Sequence, residues 1–313
     1  MRLASFISAM MDPQLLLFRR QYLQLFEPDF LSWPPKQLLR DPDVQAWLYK
    51  NLFDRERNAR LPSERYQLRV LKPLLAKVEQ GIEDPEEDVG LPSALNTLFV
   101  HISILTLPNL LSDCFVAPQE ISDDLMSCLS TLIASNLPSE ATAAQQKEYV
   151  TFSCLPSSSS ALDPDVAEST VTLLEKRHLI SGSQTTGFRT WEAALHLGSF
   201  LLQPSNSHLI SGKSVIELGA GTGFLSILAA KHLGAKHVTA TDGDEGVVEA
   251  LKENLFLNDL EDAGTVNASV LRWGRGLKGT WVEEECEEFP YDVVLGADIV
   301  CIRALFRYAF RAY

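Results

Sequence analysis

Positive charge is in short supply in this chain: 27 Lys and Arg stand against 41 Asp and Glu over 313 residues, a formal net charge of −14. Partners such as DNA or RNA want a basic surface that neutralises phosphates, so the balance argues against nucleic acid as the main partner. It suits a basic protein substrate and equally an ordinary acidic cytosolic protein. Cysteine is sparse, with five residues at 114, 128, 154, 286 and 301. They form no CxxC pair and no Cys/His cluster at zinc-ligand spacing, so free thiols in a reducing compartment and no metal site are expected. Unbroken apolar runs are lacking too. The longest candidate, "ALNTLFVHISILTLPNLL" (94–111), is interrupted by Asn, His and Pro and makes a poor membrane span. Residues 1–11 carry one Arg and a short apolar stretch without a clean cleavage site, so no secretory signal is expected. The expectation is a cytoplasmic monomer with no membrane or nucleic-acid partner.

What is present begins with helices. In "PQLLLFRRQYLQLF", Leu15, Phe18, Tyr22, Leu25 and Phe26 recur at three- and four-residue spacings and predict an amphipathic face. Asp43 is expected to cap "VQAWLYKNLF", and Ser63 precedes "ERYQLRVLKPLLAKVEQ" with Gly81 beyond its end. These segments read as a helical N-terminal domain over 12–90. A connecting region, partly irregular, follows over 91–170: residues 91–120 are apolar without a period, and Leu125, Leu129, Leu132 and Ile133 restore a helical pattern. From 171 to 300 apolar strands alternate with helices, the texture of βαβ units and a parallel sheet. The fold class expected is therefore α/β with an all-α N-terminal domain.

One stretch carries chemistry. "SVIEL" (214–218) reads as a buried parallel strand, "GAGTG" follows, and "FLSILAAKHLGA" continues as a helix. Strand, glycine turn and helix make a nucleotide-binding geometry, in which glycines admit the ligand to the backbone and the helix start offers N–H groups. The spacing is Gly219, Gly221, Gly223, with Phe224 where a dinucleotide fingerprint wants its third glycine. Glu217 stands two residues before the first glycine. This E-x-G-x-G-x-G form resembles the first motif of the S-adenosylmethionine-dependent methyltransferases, whose cationic cofactor suits an acid beside the loop. The next strand, "HVTATD", ends in Asp242, nineteen residues after Gly223, where a carboxylate can accept both ribose hydroxyls. "GTVNASVLRWG" (264–274) is expected to be the third strand, with Trp273 at its end either against an adenine face or in the core. "YDVVLGAD" (291–298) is expected to be the fourth, ending in Asp298.

Upstream lies "TTGFRTWEAAL" (185–195), read from the residues as a glycine turn leading into an amphipathic helix. The string T-T-G-x-x-T-W-x-A-A-L resembles the segment before the cofactor loop in the lysine methyltransferases of methyltransferase family 16. The helical N-terminal region resembles the subgroup acting on eukaryotic elongation factor 2. The resemblance covers roughly residues 12–80 and 121–300, and it implies a Rossmann-like seven-stranded methyltransferase sheet. It further implies that Trp191, Glu217, Gly219, Gly221, Asp242, Trp273 and Ala297 line an S-adenosylmethionine pocket. Asp298 would stand at the mouth, as the acid that orients the incoming lysine.

Two departures from the family pattern stand out. Arg272 precedes Trp273 where the family has an acid, and Asp298-Ile-Val-Cys301 replaces the family's D-x-x-Y. The tail 301–313 is basic and aromatic, unlike the body, and is expected to mark a truncation that leaves the sheet incomplete at its C-terminus. Two other readings stay open on the residues: a methyltransferase-fold binding protein without catalysis, and an NAD-dependent oxidoreductase, which Phe224 disfavours.

Overall fold

A computed structural model describes residues 12–83, 120–143, 145–154, 168–177, 186–261, 264–272, 278–288 and 290–299. The patternless stretch before Glu120, Trp273, Cys301 and the tail 301–313, with the truncation expected there, lie outside these residues. The backbone divides into two units: Met1–Tyr22 with Phe26–Leu137, and Leu23–Leu25 with Pro138–Tyr313.

The first unit is helical. Its elements are α1 (Pro13–Leu23), α2 (Lys36–Leu39), α3 (Pro42–Leu52), α4 (Glu64–Glu83) and α5 (Asp123–Ala134). Leu15, Phe18 and Tyr22 bury the apolar stripe of α1, and the Tyr22 hydroxyl donates to Leu52 O at 2.9 Å, so its polar tip is satisfied inside the core. The stripe is shorter than its spacing suggests. The helix stops at Leu23, Leu25 turns the chain at φ 57°, and Phe26 is exposed. The cap of α3 is Asp41, whose carboxylate accepts the Asp43 N–H at 2.8 Å, so Asp43 is a first-turn residue and not the cap. Pro42 decides this, because a proline fits the first helical position, where no intrahelical N–H bond is lost. Gly81 does not end α4, which runs two residues past it. A Cβ on Gly81 would lie 2.6 Å from Lys36 O, so the glycine is there for close packing against α2.

The second unit holds α6 (Glu140–Ala143), β1 (Glu148–Ser153), β2 (Thr170–Glu175), α7 (Glu192–Leu201), β3 (Ser214–Leu218), α8 (Phe224–Lys231), β4 (His237–Asp242), α9 (Glu245–Leu257), β5 (Val266–Val270), α10 (Trp281–Glu288) and β6 (Val293–Gly296). β1 and β2 pair antiparallel. β3 to β6 form a parallel sheet in the order β5-β4-β3-β6. The third and fourth strands of the sheet are shorter than the sequence suggests: Gly264 takes φ 60° ahead of β5, and Asp298 takes φ 55° beyond β6.

The core lies where these layers meet. Val215, Val238 and Ala240 of the sheet pack with Leu225, Ile227 and Leu228 of α8 and with Leu251 of α9. Each such large aliphatic side chain removed from water contributes about 2 kcal/mol. The strand order fixes where a ligand can go. The chain steps outward from β3 to β4 and β5, then returns to β6 on the other side of β3. That reversal opens a crevice at the carboxyl ends of β3, β4 and β6. Among the described residues no helix is long and apolar enough to cross a membrane, and no group of three His, Cys, Asp or Glu could hold a metal ion.

Candidate active site

A cavity of about 480 Å³ occupies that crevice. The loop after β3 lines it with Gly219, Ala220, Gly221 and Thr222, the end of β4 with Asp242, Gly243 and Asp244, and the end of β6 with Ala297, Asp298 and Ile299. Arg272 reaches it from the end of β5, and Thr186, Gly187, Thr190 and Trp191 form a strap over the glycine loop. Of the site residues named from sequence, Trp191, Glu217, Gly219, Gly221, Asp242, Ala297 and Asp298 come together here. Trp273 lies outside the described residues.

The loop conformation explains its glycines. Gly219, Gly221 and Gly223 take φ of 67°, 54° and 84°, a left-handed region costly for most side chains. Its N–H groups are largely spent on the protein. Ala220 N donates to Thr241 O at 2.8 Å, Gly221 N to Asp242 Oδ2 at 3.2 Å, and Gly223 N to Ala220 O at 2.8 Å. A phosphate cradle needs free N–H donors, and this loop offers few.

The lining is acidic. Glu217, Asp242, Asp244 and Asp298 line it, together with Arg189 and Arg272. Both guanidiniums are paired with carboxylates outside the lining, Arg189 to Glu192 at 2.8 Å and Arg272 to Glu245 at 3.0 Å. The departure at Arg272 therefore leaves a paired charge, which also donates to Gly243 O at 3.2 Å. Glu217 is 2% exposed, and its carboxylate accepts the Ser226 hydroxyl of α8 at 2.5 Å. Burial pushes its pKa up to about 7 against the pull of the Ser226 bonds, with Asp242 adding a push in the same direction. Asp242 is half-buried, and its other oxygen accepts Asp244 N at 3.1 Å. Asp298 is exposed at the mouth, held off the end of β6 in a left-handed conformation that Asp tolerates better than most residues. Trp191, 38% exposed, precedes α7. Its indole N–H donates to Thr186 O at 3.0 Å, and the Arg189 guanidinium lies over its ring at 5.2 Å.

Sequence reasoning missed the supports beneath this cavity. Gly187 of the T-T-G string touches the glycine loop: a Cβ there would lie 2.7 Å from Val247 and 3.4 Å from the Gly221 Cα. Thr190 bonds Glu175 on β2, where burial raises the carboxyl pKa while the Thr190 bonds and the charges of Arg177 and Arg189 lower it. Asn254 of α9 donates to Thr222 O at 3.0 Å and accepts Leu174 N at 2.8 Å. The signal for Asn254 was present, since it and Asn258 interrupt the buried Val247–Leu251–Leu255 face with polar groups that need buried partners.

The lysine methyltransferase family pattern matches residues 176–309. Protein-lysine N-methyltransferase EFM3 of Chaetomium thermophilum is 44% identical over 288 residues, 92% of this chain and 74% of that protein. The chain belongs to the protein-lysine methyltransferases. Two further relatives match over shorter spans. EEF1A lysine methyltransferase 3 of Mus musculus is 37% identical over 38% of this chain and 45% of its own length. Protein-lysine N-methyltransferase EEF2KMT of Homo sapiens is 30% identical over 42% of this chain and 40% of its own length. Membership sets aside the oxidoreductase alternative. In this methyltransferase the glycine strap, the acidic lining and the open mouth at Asp298 belong to one cavity.

Proposed function

We propose that this methyltransferase binds S-adenosylmethionine in the crevice cavity and methylates the ε-amine of a lysine on translation elongation factor 2. The observation that carries the cofactor reading is the lining: four acidic side chains, two guanidiniums already paired, and a glycine loop whose N–H groups are mostly engaged. That chemistry fits a ligand bearing a sulfonium and an amino group and suits a pyrophosphate poorly. Gly219 and Gly221 let the loop backbone approach the cofactor, and Asp242 accepts the ribose hydroxyls with lone pairs left over from its two backbone bonds. Trp191, Glu217 and Ala297 complete the walls. S-adenosylmethionine supplies an electrophilic methyl carbon, to which an amine lone pair bonds as the carbon–sulfur bond breaks. Asp298 orients the lysine at the mouth. The amine attacks neutral, so its proton leaves to solvent or to this carboxylate first, and the rest of the rate gain is alignment.

Elongation factor 2 is favoured as substrate by the resemblance of the helical N-terminal region to the subgroup acting on that factor. Incubating the chain with labelled S-adenosylmethionine and purified elongation factors 2 and 1A tests it. Lysine labelling of factor 2 alone is expected. Labelling of factor 1A alone would overturn the substrate, and cofactor binding without labelling of any protein would favour a non-catalytic binding role.

A further inference from the structure

Glu175 ends β2 with its side chain buried, at 1% exposure, below the cofactor loop. A carboxyl at that depth must be held by hydrogen bonds. One of its oxygens, Oε1, accepts both the Thr190 N–H at 3.3 Å and the Thr190 hydroxyl at 2.5 Å. The same Thr190 hydroxyl lies 2.7 Å from the Thr222 hydroxyl, and both threonines line the cavity.

Counting protons fixes the direction of this chain. A hydroxyl has one proton to give. Thr190 gives its proton to Glu175 Oε1, an oxygen that already accepts an N–H. At its contact with Thr222, Thr190 can then only accept, so the Thr222 hydroxyl is the donor. What remains on the Thr222 oxygen is lone pair. The carbonyl of Thr222 is tied to the same strand by a second route, through Asn254 to Leu174 N.

We propose that Glu175 is a positioning residue for the cofactor loop: through Thr190 it orients the Thr222 hydroxyl so that the loop presents an acceptor, and no proton, to a cationic ligand. The inference rests on reading the cavity as an S-adenosylmethionine site. It adds that β2, which contributes no residue to the cavity, sets the polarity of one wall. The consequence is a preference for the cationic cofactor over its neutral-sulfur product, S-adenosylhomocysteine.

The test is calorimetric titration of both ligands into the full chain and into three variants, with the melting temperature of each recorded. Thr190→Val removes both links, Glu175→Met frees the Thr190 proton, and Thr190→Ser keeps the hydroxyl. Thr190→Val and Glu175→Met are expected to weaken S-adenosylmethionine about tenfold and S-adenosylhomocysteine less than about threefold, while Thr190→Ser stays within about twofold of the parent chain. Equal weakening of both ligands would reduce the relay to a brace and overturn the proposal, as would unchanged S-adenosylmethionine affinity in Thr190→Val. A parent chain that binds neither ligand overturns the cofactor reading itself, which the variants then need not reach.

Discussion

Glu217 pairs an unusual burial with an ordinary neighbour. With its pKa raised from 4.5 to about 7, the folded state holds a proton that the unfolded chain gives up near pH 4.5. The sign follows. Below pH 4.5 the carboxyl is neutral in both states and costs nothing. Between 4.5 and 7 the unfolded state gains from ionising while the folded state does not, so stability falls. Above 7 the full cost, about 3 kcal/mol, is reached. Without ligand, the melting temperature should therefore fall from pH 5 to pH 8, and Glu217→Gln should flatten the curve. Parallel curves for the two proteins would show that Glu217 is ionised throughout. At the mouth, Asp298→Ala should lower turnover on the protein substrate about a hundredfold while changing S-adenosylmethionine affinity less than about threefold. A loss of cofactor affinity equal to the loss of turnover would move Asp298 from the lysine to the cofactor. Asp242→Ala should show the opposite pattern, weakening the cofactor about a hundredfold through two lost charge-assisted hydrogen bonds and a freed Gly221 N–H.

At the scale of elements, the strap and the glycine loop work as one part. Gly187 sits where a Cβ would meet Val247 at 2.7 and 2.9 Å and the Gly221 backbone at 3.4 Å, so nothing larger fits without displacement. Gly187→Ala should cost about 1–3 kcal/mol and weaken the cofactor with it. Val247→Ala, which removes the two methyl groups it would strike, should restore part of both losses in a double-mutant cycle. Additive losses would mean that the strap is held elsewhere. Which parts of these elements were legible follows from the physics of each. β3, the glycine turn and α8 announce themselves, because a buried parallel strand and a left-handed turn allow few residue types. The α3 cap was misplaced by two residues because two acids flank Pro42 and only the backbone decides which one caps. Gly81 read as a stop because a glycine at a helix end and a glycine at a helix crossing look alike in sequence.

At the scale of the molecule, the cavity was legible through spacing. The glycines, the acid that ends β4 and the acid after β6 all sit at strand ends, which a parallel sheet brings to one edge. Its supports were not, because Glu175, Thr190 and Asn254 come from three elements whose meeting depends on how the β1–β2 hairpin lies on α9. No local pattern encodes that. The same sheet edge gathers carboxylates where a dinucleotide site would gather free N–H groups, and this difference carries the cofactor reading. Titration of S-adenosylmethionine into the chain at neutral pH, with NAD as the control ligand, tests it most directly. Saturable one-site binding of S-adenosylmethionine and none of NAD is expected; a folded chain that binds NAD, or neither ligand, would contradict the cofactor reading.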